Sequence, residues 1–237
     1  MKEHLTTEKE KELIEVKPSK REILFNNKVV YAITIMTKRF IDICAGVAGM
    51  CVLIPLTIIL YIVKIVDKDK GPLFFSQDRI GKDGKLFKMY KFRTMVVGAD
   101  DVLKKMLDEN EKAREEYAKN KKLKNDPRIT KIGKFLRSTS LDEFPQFINV
   151  LKGDMSLVGP RPYLPREEED MGYYYYYITK CKPGITGLWQ VSGRSEVSFD
   201  GRLDLDLEYY REDAGIFSDL GIAAKTVVKT LKKEGAA

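Results

Sequence analysis

Histidine is almost missing from this chain of 237 residues: its one copy, His4, lies in a polar N-terminal stretch. That leaves no basis for a histidine general base or a His-ligated zinc. Cysteine is scarce as well, and Cys44, Cys51 and Cys181 have neither metal-ligand spacing nor the pattern of a disulfide framework. No Walker-type lysine loop and no dinucleotide fingerprint occurs. Tryptophan is limited to Trp189, as suited to packing as to stacking on a base. Any acid, base or nucleophile must come from carboxylates, lysines or hydroxyls.

What the chain does have is a run of 21 uncharged residues, Ile43 to Val63, interrupted by one proline, Pro55. As a single helix rising about 1.5 Å per residue it would be roughly 31 Å long, enough to cross a hydrocarbon core of about 30 Å. Pro55 lacks an N–H and clashes with the carbonyl four residues back, which predicts a kink or break near Leu53 and Ile54. Lys38 and Arg39 before the run, and Lys64, Lys68 and Lys70 after it, mark both ends as cytoplasmic. A proline-broken re-entrant helix satisfies both flanks; a kinked single span and a buried core helix are the alternatives. The run starts too late for a cleaved signal peptide.

The net charge of +7 and a pI near 9.1 suit an anionic membrane surface or an anionic substrate, with nucleic acid a third option. Nucleic acid is the poorest of these, because the basic residues carry no recognisable binding motif. The positive charge is concentrated: Lys119 to Arg137 holds eight Lys or Arg against one acid, Asp126.

The length allows one sizeable domain plus the membrane element. Residues 1–20 read as a disordered tail, 21–37 as an N-terminal interfacial segment, 38–66 as the re-entrant helix hairpin and 67–237 as a cytoplasmic catalytic domain with interfacial helices. The expected fold class is mainly α with a small β-hairpin, in a monotopic membrane protein. The hairpin is predicted around Gly81-Lys82-Asp83-Gly84. Helices are predicted over 99–119, 131–137 and 143–151, the last with an apolar core stripe of Phe144, Phe147, Ile148 and Leu151. The segments 159–165 and 182–194 read as loops, the first stiffened by prolines and carrying Arg161. Tyr173 to Tyr177 suit a membrane interface or a soluble core equally. The amphipathic stretch from Ile216 to Leu231 suits a bilayer surface or docking on the domain.

Asp142 and Glu143 are adjacent carboxylates at the predicted start of a helix. One reading is capping, with Ser140 and Glu143 as a capping box or Asp142 as N-cap ahead of Pro145. The functional reading gives one carboxylate a divalent cation and lets the other attack phosphorus, with Arg137 and Arg161 holding phosphoryl oxygens.

Several ordered stretches sharpen this. Lys38-Arg39-Phe40-Ile41-Asp42, Phe75 to Gly81, Tyr90 to Met95, Asp126 to Thr130, Leu141-Asp142-Glu143, Leu151 to Pro162 and Lys182 to Gly187 resemble the bacterial sugar transferases called monotopic phosphoglycosyl transferases. The resemblance implies a re-entrant helix broken at Pro55 and transfer of a sugar 1-phosphate from a UDP-sugar to polyprenyl phosphate. It implies Asp142 as nucleophile of a covalent phosphosugar intermediate with release of UMP, Glu143 as ligand of Mg²⁺, and Arg137, Arg161 and Arg93 as phosphate or nucleotide contacts. It further implies a bacterial inner membrane location with the catalytic domain on the cytoplasmic face, in exopolysaccharide, capsule or O-antigen synthesis. Trp189 to Arg194 looks more like the hexose 1-phosphate enzymes, which favours UDP-glucose or UDP-galactose; homodimerisation is left open. Larger relatives carry further N-terminal helices and a domain for which this chain has no room. The competing class is a non-catalytic basic module that binds anionic lipids.

Overall fold

The structure, a computed structural model, describes residues 26–120, 123, 126–193, 197–213 and 215–232; the predicted tail, residues 21–25 and part of the basic cluster lie outside them. The fold is mainly helical with a small antiparallel hairpin, as expected. Helix α1 spans Lys28–Val66, and Asn27 caps it by accepting from Val29 N and Val30 N. Its 39 residues amount to about 58 Å of helix measured along its path. It is long and apolar enough to cross a membrane.

The break predicted near Leu53 and Ile54 is not seen: α1 runs on with Pro55 inside it. Thr57 Oγ1 donates to Leu53 O at 2.7 Å, one turn back on the same stretch of backbone. From Lys28 onward the expected interfacial and membrane segments are thus one helix. Its buried residues, Asp42, Gly46, Gly49, Leu53 and Leu60, recur at helical spacing and form one stripe across the proline. Val47, Val52, Ile54, Ile58, Ile59 and Ile62 remain exposed on the rest of the surface.

The stripe is seated on α5 (Gln146–Lys152), the helix whose apolar face the sequence marks as core. A Cβ at Gly46 would fall 2.6 Å from Leu151, and one at Gly49 would fall 2.2 Å from the Phe147 ring. Only glycine admits so close an approach. Phe144 and Ile148 pack with Leu53, Leu60, Phe92 and Leu136 in the same cluster.

Polar contacts fix the register. Asp42 accepts from Ser156 Oγ at 2.9 Å and Leu157 N at 2.7 Å, while Arg39 donates to the carbonyls of Val150 and Leu151 at the end of α5. Lys38 donates to Val158 O and Tyr209 Oη and pairs with Asp219.

Strands β1 (Phe74–Ile80) and β2 (Leu86–Phe92) form the predicted hairpin, with Phe74 opposite Phe92 and Ile80 opposite Leu86. The predicted helix over 99–119 is two, α2 (Ala99–Glu109) and α3 (Glu111–Asn120). Asn110 is extended and accepts from Ala113 N, so it ends one helix and caps the next. Helix α4 (Lys131–Ser138) begins at Thr130, which accepts from Gly133 N.

Both predicted loops are corrected in part. Residues 159–164 are irregular as expected, but 182–194 contains β4 (Gly184–Thr186) and α8 (Leu188–Ser192). Strand β4 pairs in parallel with β3 (Ser156–Val158), a two-stranded unit too short to give a hydrophobic pattern. Between them come α6 (Glu168–Met171) and α7 (Tyr174–Ile178). Four of the five tyrosines pack in or against the core and only Tyr176 is well exposed, so core packing dominates there. Helices α9 (Phe199–Glu208) and α10 (Ile216–Leu231) close the fold. Helix α10 docks through Ile222 and the Thr226–Thr186 hydroxyl pair, yet leaves Phe217 91% exposed alongside Leu220, Val227 and Val228.

Candidate active site

Neither capping expectation holds. Ser140 adopts a left-handed conformation with φ 56° and makes no cap, and Leu141–Glu143 form a separate 3-10 turn. Pro145 precedes α5 and cannot donate, so the carboxylates are set off from the helix by two residues. The adjacent pair therefore does not cap the helix that follows it.

Asp142 is buried at 9% exposure, and burial pushes its carboxyl up to about 6. The negative charge of Glu143 adds to this, while Lys91 and Arg137 pull it down. Lys91 Nζ donates to Glu143 Oε1 at 2.9 Å. Arg137 Nε donates to Thr94 Oγ1 at 2.9 Å, and the guanidinium interacts electrostatically with Asp142 and Asp126. A buried carboxylate beside two cations, still ionised at neutral pH, is equipped to act as a nucleophile.

The hairpin delivers the next cation. Arg79 and Lys91 lie on the same face, since Phe75 is opposite Lys91 and Arg79 opposite Phe87. Arg79 donates to Pro162 O and Gln77 Oε1, both at 2.9 Å, and burial with the nearby Arg161 lowers its guanidinium to about 10. It feels both Glu143 and Arg161, so it joins the carboxylate turn to the proline-stiffened loop.

Arg161 is anchored through its backbone: Asp206 Oδ2 accepts from Arg161 N at 3.1 Å and from Tyr163 Oη at 2.8 Å. Arg93 belongs elsewhere. Its guanidinium donates to Pro72 O and Met95 O and pairs with Asp69, fastening the chain that leaves α1. The structure therefore brings together Asp142, Glu143, Arg137 and, through Arg79, Arg161; it leaves Arg93 as a brace.

Among the described residues no group of three or more His, Cys, Asp and Glu could hold a metal. Two adjacent carboxylates do suit Mg²⁺ that arrives on a diphosphate, because this ion keeps waters and substrate oxygens and needs only one or two carboxylates. Sequence reasoning missed Lys91 and Arg79 as site residues. Period-two alternation along the hairpin was the signal that placed them on one face.

The chain matches the bacterial sugar transferase family over residues 33–233 and belongs to it. An undecaprenyl-phosphate galactose phosphotransferase of Salmonella typhimurium is 46% identical over 199 residues, covering 84% of this chain and 41% of that protein. The exopolysaccharide production protein ExoY of Rhizobium meliloti is 41% identical over 193 residues, covering 81% of this chain and 84% of its own length. A UDP-glucose:undecaprenyl-phosphate glucose-1-phosphate transferase of Escherichia coli is 42% identical over 167 residues, with 67% of this chain and 32% of that protein covered. The chain spans about two fifths of the length of several of its relatives.

Proposed function

We propose that this protein transfers a sugar 1-phosphate from a UDP-sugar, with UDP-glucose or UDP-galactose favoured, to polyprenyl phosphate at the cytoplasmic face of a bacterial inner membrane. The observation that carries the reading is Asp142: a buried carboxylate, freed from capping, beside Glu143, Lys91 and Arg137. The names of the similar proteins support the substrate classes.

In the first step an Asp142 carboxylate oxygen attacks the phosphorus that bears the sugar. The bond from that phosphorus to the bridging oxygen breaks, and UMP leaves with the oxygen. In the second step a phosphate oxygen of the lipid attacks the same phosphorus and displaces Asp142, giving a polyprenyl diphosphate sugar and restoring the carboxylate. Lys91 and Arg137 keep Asp142 ionised between steps, and Arg79 and Arg161 take phosphate oxygens. Glu143, with Asp142 beside it, would hold Mg²⁺. Bound there, the ion supplies charge neutralisation that lets an anion approach a diphosphate.

The membrane reading rests on both ends of α1. Lys38, Arg39 and Asp42 bind the catalytic domain before the apolar run, while Leu60 packs on it and Asp69 pairs with Arg93 after it. A helix tied to one domain at both ends keeps both ends on one face of the membrane, so we infer a monotopic disposition; for this one continuous helix to enter and return on that face it must bend at Pro55. The exposed side of α1 and the Phe217 side of α10 then meet lipid.

The test is UMP release in the presence of polyprenyl phosphate and Mg²⁺, screened over UDP-glucose, UDP-galactose and their N-acetylated forms. Release with one donor and loss on chelation support the reading. Liposome binding without release from any donor would instead make the protein a non-catalytic lipid-binding module.

A further inference from the structure

Resting on the transferase reading, a second arginine emerges that the reading leaves unused. The Trp189 ring carries two guanidinium groups, Arg161 at 5.4 Å and Arg202 at 5.7 Å from its centroid. Arg161 comes from the stiff loop and Arg202 from α9. Two like charges share one indole, and a ring face attracts each of them.

Among the described residues neither guanidinium is in a salt bridge, although Glu167 and Asp206 act on Arg202 from a distance. Among the described residues Arg202 donates only from Nε, to Val197 O at 3.1 Å, and the Arg161 guanidinium makes no hydrogen bond. The nearest acids are already committed: Asp206 Oδ2 accepts from Arg161 N and Tyr163 Oη, and Glu167 Oε2 accepts from Leu164 N. Arg79 adds a third positive charge next to Arg161, and burial with Arg161's repulsion lowers the Arg202 guanidinium from its ordinary value. Half-buried guanidinium groups that share an indole and are not hydrogen-bonded to a carboxylate leave N–H groups for an anion.

A second observation falls on the same place. Among the described residues, the buried side-chain atoms without a hydrogen-bond partner are Arg79 Nε, Trp189 Nε1, Gln190 Oε1 and Asp206 Oδ1. Buried polar atoms in folded proteins are almost always paired. Here Trp189 lies under the two arginines, Asp206 holds the Arg161 backbone and Arg79 adjoins Arg161, so the unpaired atoms gather around one loop.

We propose that Arg202, with Arg161 and the Nε1 edge of Trp189, forms a phosphate-binding clamp of the transferase site. Both guanidinium groups are held against the Trp189 ring, and their remaining N–H groups take non-bridging phosphate oxygens. Asp206 is a positioning residue: it lies one turn from Arg202 on α9 and grips the backbone of Arg161, so one helix sets both arginines. The phosphate belongs either to the nucleotide donor or to the lipid acceptor.

Trp189 is the only tryptophan, so its emission reports on this site alone. In detergent-solubilised full-length protein, titration with UMP and with inorganic pyrophosphate should give a saturable change in emission. Arg202→Gln should shift the midpoint at least about 10-fold upward, as expected for loss of a charge-assisted contact. Arg202→Lys, which keeps charge without the fork, should fall between, and the exposed-surface control Lys104→Gln should leave the midpoint unchanged.

Steady-state kinetics identify the phosphate. A fall confined to kcat/KM for the UDP-sugar assigns the clamp to the donor, and a fall confined to polyprenyl phosphate assigns it to the lipid. Wild-type titration midpoints together with wild-type kinetics for both substrates, in an Arg202→Gln protein with native circular dichroism, overturn the proposal. A wild-type protein that binds pyrophosphate through Arg202 but releases no UMP overturns the transferase reading and leaves the clamp standing.

Discussion

Lys91 on β2 and Glu143 in the 3-10 turn are joined at 2.9 Å, so the hairpin reaches into the turn that carries Asp142. The pair sets opposing fields on the buried carboxylate. Lys91 lowers its proton affinity and Glu143 raises it, against a background of burial that holds it near 6.

The pH profile should show both. Attack requires ionised Asp142, so kcat/KM for UMP release should fall as pH drops through about 6. Lys91→Gln removes the charge that favours ionisation and should move the acid limb to higher pH. Glu143→Gln removes the opposing charge and should move it lower, whatever the height of the profile. Limbs that stay put in both variants would show that Asp142 does not govern the rate.

Stability should carry the opposite sign. A carboxyl whose folded pKa is raised from 3.8 to about 6 favours the native state below pH 3.8, and that contribution is lost as pH rises through about 6. Asp142→Asn removes the burden of an ionised buried group. It should stabilise the protein by roughly 3 kcal/mol above pH 7 and by little near pH 4. Thermal unfolding of both proteins across this range tests the difference; equal midpoints at pH 8 would contradict the burial.

The α1–α5 contact is a packing prediction. Gly49→Ala places a methyl 2.2 Å from the Phe147 ring and should cost about 1–3 kcal/mol by overpacking. Adding Phe147→Leu should recover part of the loss, because the two side chains compete for one space. Additive losses in chemical denaturation would place the damage elsewhere.

Asp42 supplies a polar counterpart. Asp42→Ala leaves Ser156 Oγ and Leu157 N without their acceptor and should cost about 1–3 kcal/mol. Hydrogen exchange should then rise at Leu157 while Lys131–Ser138 stays protected. Unchanged exchange at Leu157 would mean that the carboxylate is not what holds β3 to α1.

Much of this was legible in the residues. The hairpin, the helix over 131–138 and the apolar stripe of α5 each come from a local periodicity strong enough to survive folding. The unbroken α1 was not, because the proline penalty is local whereas the stripe from Asp42 to Leu60 is held by packing on α5 and the hairpin. Asn110 splitting one helix into two was within reach, since asparagine is a good N-cap. The parallel β3–β4 pair was not, because three-residue strands bring partners nearly thirty positions apart. At the site, Asp142, Glu143, Arg137 and Arg161 were named from sequence, whereas Lys91 and Arg79 needed the hairpin register. Arg93 shows the converse: it stands in a matching stretch, but its bonds to Pro72, Met95 and Asp69 make it a brace.

The most direct measurement is intact-protein mass spectrometry after mixing the protein with UDP-sugar and Mg²⁺ in the absence of polyprenyl phosphate. The expected result is one added sugar phosphate per chain, mapped to Asp142, with one equivalent of UMP and discharge when the lipid phosphate is supplied. An unmodified chain that nevertheless releases UMP, or an Asp142→Asn protein that releases it undiminished, would contradict a nucleophilic Asp142.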